Sequence, residues 1–191
     1  NYLPHLGLLV SGGNTVLFRL DEGMDISILA KTVDDAAGEG LDKGAKLLGI
    51  PYPGGAELER RARGGNAKAY DFPQAFQAKN EMKFSFSGLK TSLLYTIQKM
   101  TKTQINDRYS DLSASYQRAA IMQLVRKTSH AWEQGDFRSI GLSGGVANNQ
   151  LLRDKMKELA EMNGTGLLCA EPKHTGDNAA MIAYAAHVDS K

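Results

Sequence analysis

The chain has 191 residues, 42% of them hydrophobic and 23% charged, which gives ample core for one large domain or two small ones. A net charge of +2 is too small to indicate nucleic-acid binding by itself, and the single cysteine, Cys169, excludes a disulfide framework. No apolar run reaches membrane-spanning length and no secretory leader is visible, so a cytoplasmic setting is expected.

In chain order, an apolar strand begins almost at Asn1, so the sequence reads as starting inside a longer protein. The first element is a β-hairpin: residues 6–10, a turn at Ser11-Gly12-Gly13-Asn14, then residues 15–20. Residues 26–32 predict a third antiparallel strand. Asp34 or Asp35 is the expected cap of a helix that ends near Gly49, ahead of Pro51 and Pro53, with Leu41, Ala45 and Leu48 on one face. Gly38, Gly40 and Gly44 each cost that helix up to about 1 kcal/mol relative to Ala. Close approach of a ligand or backbone, or tight helix packing, must offset the loss.

A short helix follows over 53–66 and a polar irregular stretch over 66–85. Two amphipathic helices come next. One carries Leu89, Leu93, Ile97 and Met100 in a stripe; the other, over 112–132, carries Tyr116, Ala120, Leu124 and Thr128. The chain then predicts a strand at 138–142 and a helix at 148–162 that turns Leu152, Met156 and Leu159 inward. A strand at 166–169 and a helix at 177–188, with Ile182, Ala183 and Ala186 on one side, complete it. This order predicts an α/β fold with a mixed sheet.

Chemistry gathers at the turns. Ser11-Gly12-Gly13 and Ser143-Gly144-Gly145 each end an apolar strand, and such turns let N–H groups close on a phosphate. Gly144-Gly145 leads toward a helix start beside Asn148 and Asn149, where an anion is favoured. Asp42 reads as a ribose acceptor or an exposed helix acid, and Asp177 as a metal ligand or a routine N-cap. The basic run Arg60, Arg61, Arg63 and Lys68 is a nucleic-acid patch or a solvated helix face. No His-Glu-x-x-His or Gly-x-Ser-x-Gly occurs, so neither a zinc protease nor a serine hydrolase is indicated.

Six ordered segments carry a family resemblance: Leu9-Val10-Ser11-Gly12-Gly13-Asn14-Thr15, the stretch from Val33-Asp34-Asp35 to Asp42-Lys43, and Pro51-Tyr52-Pro53-Gly54-Gly55. The others are Phe84-Ser85-Phe86-Ser87-Gly88-Leu89-Lys90-Thr91, Gly144-Gly145-Val146-Ala147-Asn148-Asn149 and Gly176-Asp177-Asn178-Ala179-Ala180-Met181-Ile182-Ala183. Together they resemble the TsaD family, also called Gcp or YgjD. Its members transfer a threonylcarbamoyl group from threonylcarbamoyl-AMP to the N6 amine of the adenosine beside the tRNA anticodon.

The resemblance implies an actin-like ATPase (ASKHA) fold, with residues 1–191 as a C-terminal half-domain, a helical insertion at about 66–134 and a terminal helix at 176–191. It implies that Leu9, Val10, Ser11, Gly12, Gly13, Asp42, Gly55 and Asn149 bind the adenylate or an ATP- or AMP-type nucleotide. Asp177 would be one ligand of a divalent metal, iron or zinc. The implied partners are tRNA, a TsaB-like paralogue and a TsaE-like ATPase. Asn14 stands where bacterial members usually carry His. The family's His-x-x-x-His pair, its other two metal ligands, is absent, so weak metal binding and an inactive fragment are expected. The alternatives are an ASKHA-type sugar kinase and a non-catalytic TsaB-like scaffold.

Overall fold

The structure, a computed structural model, describes residues 2–176 and 179–189. Three strands, β1 (His5–Val10), β2 (Thr15–Leu20) and β3 (Ile26–Thr32), pair antiparallel in succession. A two-residue strand, β4 (Lys83–Phe84), runs parallel to the end of β3. On the other side, β5 (Ser139–Ser143) lies parallel to β1, and β6 (Leu167–Cys169) parallel to β5. The six-stranded order is β4-β3-β2-β1-β5-β6, the mixed sheet expected from the chain order.

The helices are α1 (Ala37–Leu47), α2 (Gly55–Ala62), α3 (Ser87–Gln98), α4 (Lys102–Asp107), α5 (Tyr109–Gln134), α6 (Gln150–Met162) and α7 (Ala179–Asp189). Alternation along β1 sends Leu6, Leu8 and Val10 to one face, where they are buried with Leu17, Ile140 and Leu142. Helices α5 and α6 complete that core with Tyr116, Ile121, Leu124, Leu152 and Met156, each fully buried. Burying such a side chain is worth about 1.5–3 kcal/mol. Residues 66–134 therefore share the sheet's core: Leu112, Tyr116 and Leu124 of the insertion belong to the same cluster as Leu6 and Leu8.

Several boundaries differ from expectation for local reasons. The cap of α1 is Ala36, which offers no side-chain acceptor, rather than Asp34 or Asp35. Thr15 on β2 takes over that task, its Oγ1 accepting from the Ala37 N–H at 2.8 Å. Asp34 is turned toward the start of α3, where it accepts from the hydroxyls of Ser85 (2.5 Å) and Ser87 (2.6 Å) and from the Phe86 N–H (2.8 Å). Burial raises its pKa, but these hydroxyl and N–H donors hold it below the usual carboxylate value.

The helix expected at 148–162 begins as a 3-10 turn, Gly145–Asn148, followed by α6. Helix α4 was not anticipated, although Thr101 and Gln104 form a capping box at its start. The stripe assigned to the last helix does not face a core, since Ile182 is 73% exposed. With Ala, Met and Ile all round, α7 has no polar face to define an inward one. Among the described residues no helix is long and apolar enough to cross a membrane.

Candidate nucleotide cleft

The cleft forms where β1 and β5 end side by side, Leu9 opposite Ser143. Beyond β1 the chain closes on itself. Ser11 Oγ accepts from the N–H groups of Gly13 (3.3 Å) and Asn14 (2.9 Å), and the Ser11 N–H donates to the Asn14 carbonyl (2.8 Å). Most donors of this turn are thereby consumed internally, and Gly12 is the residue of the turn that lines the cleft. Beyond β5 the chain opens instead. Gly144 adopts φ +91°, and Gly145 and Val146 start the 3-10 turn with N–H groups that have no intrahelical acceptor.

The opposite wall is α1 and α2. Gly38 lets α1 press onto the first turn, its N–H donating to the Ser11 carbonyl at 3.2 Å. One helical turn on, Asp42 reaches across to α2, where its Oδ1 accepts from Gly54 (2.9 Å) and Gly55 (2.8 Å). A carboxylate there satisfies orphan donors at the start of α2 and complements the helix dipole. Glu59, one turn along α2 from Gly55, accepts from the Gln150 N–H at 2.6 Å and so ties α2 to α6. Asn149 caps α6 through Oδ1, accepting from Leu152 N–H at 3.1 Å.

These parts enclose a cavity of about 280 Å³ lined by Gly12, Gly38, Asp42, Gly55, Glu59 and Asn149 among others. Of the sequence-predicted residues, Gly12, Asp42, Gly55 and Asn149 meet there. Leu9, Val10, Ser11 and Gly13 do not line it: Val10 is fully buried in the core, and Ser11 shapes the turn through its hydroxyl. Glu59 and Val146 were missed. The i, i+4 spacing from Gly55 was the available signal for Glu59. Among the described residues no Lys or Arg lines the cavity, so an anionic ligand would be held by backbone N–H groups, and Asp42 and Glu59 suit hydroxyl donors.

The tRNA N6-adenosine threonylcarbamoyltransferase (TsaD) family pattern matches residues 1–184. The chain belongs to the TsaD family. It is 46% identical over 183 residues to the enzyme of that name from Anaeromyxobacter sp. (strain Fw109-5), covering 95% of this chain and 55% of the relative. It is 41% identical over 184 residues to that of Thermosipho africanus, covering 96% and 55%. The chain therefore spans about half the length of the TsaD relatives it matches.

Among solved structures, the activator of 2-hydroxyisocaproyl-CoA dehydratase from Clostridium difficile with bound ADPNP aligns over 98% of this chain and 62% of its own. The TM-score is 0.57 at 17% identity, a likeness of fold. HypF of T. kodakarensis aligns over 78% of this chain and 18% of its own, with a TM-score of 0.51 at 19% identity. The fold is thus the actin-like ATPase type, as the sequence implied.

The metal expectation finds no ligand set. Among the described residues no three His, Cys, Asp or Glu side chains converge. Asp177 itself lies outside the described residues. The segment just before it is anchored beside the cleft: Asn148 Nδ2 donates to Thr175 Oγ1 at 2.7 Å, and Thr175 is buried.

Proposed function

We propose that this chain supplies the adenylate-binding cleft of a tRNA threonylcarbamoyltransferase acting in the cytoplasm. The reading is carried by the meeting of Gly12, Asp42, Gly55 and Asn149, contributed by four separate segments, around one cavity in a TsaD-family chain. A fold shared with a protein that binds ADPNP supports a nucleotide as the occupant. In this reading the N–H groups of Gly12, Gly145 and Val146 hold the adenylate phosphate, while Asp42 and Glu59 accept from ribose hydroxyls.

The N6 amine of the adenosine attacks the carbonyl carbon of threonylcarbamoyl-AMP. The carbon–oxygen bond to the phosphate breaks, AMP leaves with the electron pair, and the attacking nitrogen gives up one proton to solvent. In this reading the backbone donors that hold the phosphate also favour the charge that develops on it. A divalent metal, iron or zinc, would need ligands besides Asp177 that the described residues do not assemble, and no step is routed through it. We infer that residues 1–191 alone do not catalyse transfer, and that tRNA, a TsaB-like paralogue and a TsaE-like ATPase act with the longer protein.

The test is calorimetric titration of AMP into the chain and its Asp42→Asn variant. Asn keeps an acceptor for Gly54 and Gly55 but loses the second carboxylate oxygen, so affinity is expected to fall about tenfold or more. Unchanged affinity, or no AMP binding by the parent chain, would overturn the cleft assignment.

A further inference from the structure

Between α5 and α6 runs a groove of about 550 Å³. Its floor is aliphatic, formed by Met122, Val125 and Leu159, and its rim is cationic, with Lys68, Arg118, Arg126 and Lys155. Of the two carboxylates on the rim, Glu133 pairs outside the groove with Lys79, and Glu158 pairs with Lys155 on the rim itself, each at 2.6 Å. Among the described residues, neither the Lys68 nor the Arg118 side chain makes a hydrogen bond or ion pair. Arg126 gives its terminal nitrogens to neutral oxygens, Gln74 Oε1 and the Ala75 carbonyl, and its Nε–H is buried without an acceptor.

Burial holds the Arg126 guanidinium below its ordinary pKa. Burial, with the Arg126 charge beside it, does the same to Lys127, whose Nζ donates to the Ala78 carbonyl at 2.9 Å. Among the described residues, Lys68, Arg118 and Arg126 therefore bring positive charge to the groove without an ion pair to a carboxylate. Its aliphatic floor keeps the local dielectric low, which strengthens any pairing made there. Guanidinium forks match phosphate oxygens two at a time.

Location selects the ligand. Helix α6 starts at the nucleotide cleft, beside Asn149, and leads away from it past Lys155 to Leu159 in the groove. At ~1.5 Å per residue, the groove lies from about 9 to about 20 Å along α6 from Asn149. The neighbouring cations do not extend it: Arg60 and Arg61 pair with Glu57, and Arg61 also lies over the Tyr109 ring.

We propose that this groove holds backbone phosphates of the RNA substrate through Lys68, Arg118 and Arg126, a site that rests on the tRNA reading above. The phosphates bound there lead away from the adenosine presented at the cleft.

A salt series of fluorescence anisotropy titrations tests it, using a fluorescein-labelled anticodon stem-loop RNA and the 191-residue chain. Lys68→Gln with Arg118→Gln is the decisive pair, because neither side chain holds another part of the fold. Losing two single-strand phosphate contacts is expected to weaken binding about tenfold at low salt. The slope of log affinity against log salt should become shallower by about 1.4. Arg118→Lys is expected to keep most of the slope. An unchanged slope in the double variant, or no RNA binding by the parent chain, would overturn the proposal. So would competition by poly-glutamate as effective as unlabelled RNA, which would assign the groove to an acidic protein segment. AMP binding, measured on the same samples, reports on the cleft separately: its loss in the parent chain would sink the cleft reading while leaving the slope comparison intact.

Discussion

The turns at Ser11-Gly12-Gly13 and Ser143-Gly144-Gly145 share three residues and end adjacent parallel strands, yet the fold uses them in opposite ways. The first leads back into an antiparallel partner and consumes its own donors, with Ser11 Oγ accepting from two of them. The second leads forward into a 3-10 turn and α6, leaving donors at its start. Their glycines differ accordingly. A Cβ on Gly12 or Gly13 would meet nothing within 4 Å, whereas one on Gly144 would overlap the Val10 backbone. One tripeptide is a flexible closure and the other a steric requirement, and only the neighbouring strand decides which.

The sharpest break of that comparison is Gly144→Ala. It forces an L side chain into φ +91° and a Cβ onto the Val10 carbonyl, a backbone atom that cannot swing aside. Strain and overlap together are expected to cost about 3 kcal/mol or more, read as a lower urea midpoint. A loss under about 1 kcal/mol would show that β1 and β5 separate easily and that the contrast is false.

Gly38→Ala probes the same seam from the helix side and should cost less. An added Cβ would sit 2.6 Å from the Ser11 carbonyl oxygen and 2.9 Å from the Gly12 nitrogen, again backbone. Against this, Ala raises helix propensity by about 1 kcal/mol. Overpacking of about 1–3 kcal/mol wins narrowly, so a net destabilisation of about 1 kcal/mol is expected in the same denaturation assay. A stabilised variant would mean that α1 shifts away from the turn without penalty.

How much of this was legible in the sequence follows from how local each feature is. The β1–β2 hairpin, β3 and the stripes of α3 and α5 are set by turn chemistry and periodicity, and they appear as read except that α3 ends at Gln98 and leaves Met100 beyond it. The α1 cap was misassigned because its acceptor, Thr15, lies 22 residues upstream on another strand. Strand β4 is two residues long and exists only because β3 offers an edge. In the cleft, Gly12, Asp42, Gly55 and Asn149 were found through motifs. Glu59 escaped because its partner, the Gln150 N–H, lies 91 residues away. The helix glycines left two explanations open, and both hold: Gly38 admits a backbone, while Gly44 admits the Tyr116 ring.

The smallest expected stability effects give the finest test, since they separate folding from binding within one turn. Gly12 and Gly13 are adjacent, exposed and free of steric demand, so Ala at either position should leave stability within about 0.5 kcal/mol. Their donors are not equivalent. The Gly13 N–H is committed to Ser11 Oγ, whereas Gly12 lines the cavity. A methyl on Gly12 hinders approach of a phosphate to its backbone, and one on Gly13 does not. AMP affinity is therefore expected to fall several-fold for Gly12→Ala and to stay unchanged for Gly13→Ala, measured by the same calorimetry at matched stability. Equal losses at the two positions would mean that the whole turn reopens around the ligand. The two Ser-Gly-Gly turns would then differ only while the cleft is empty.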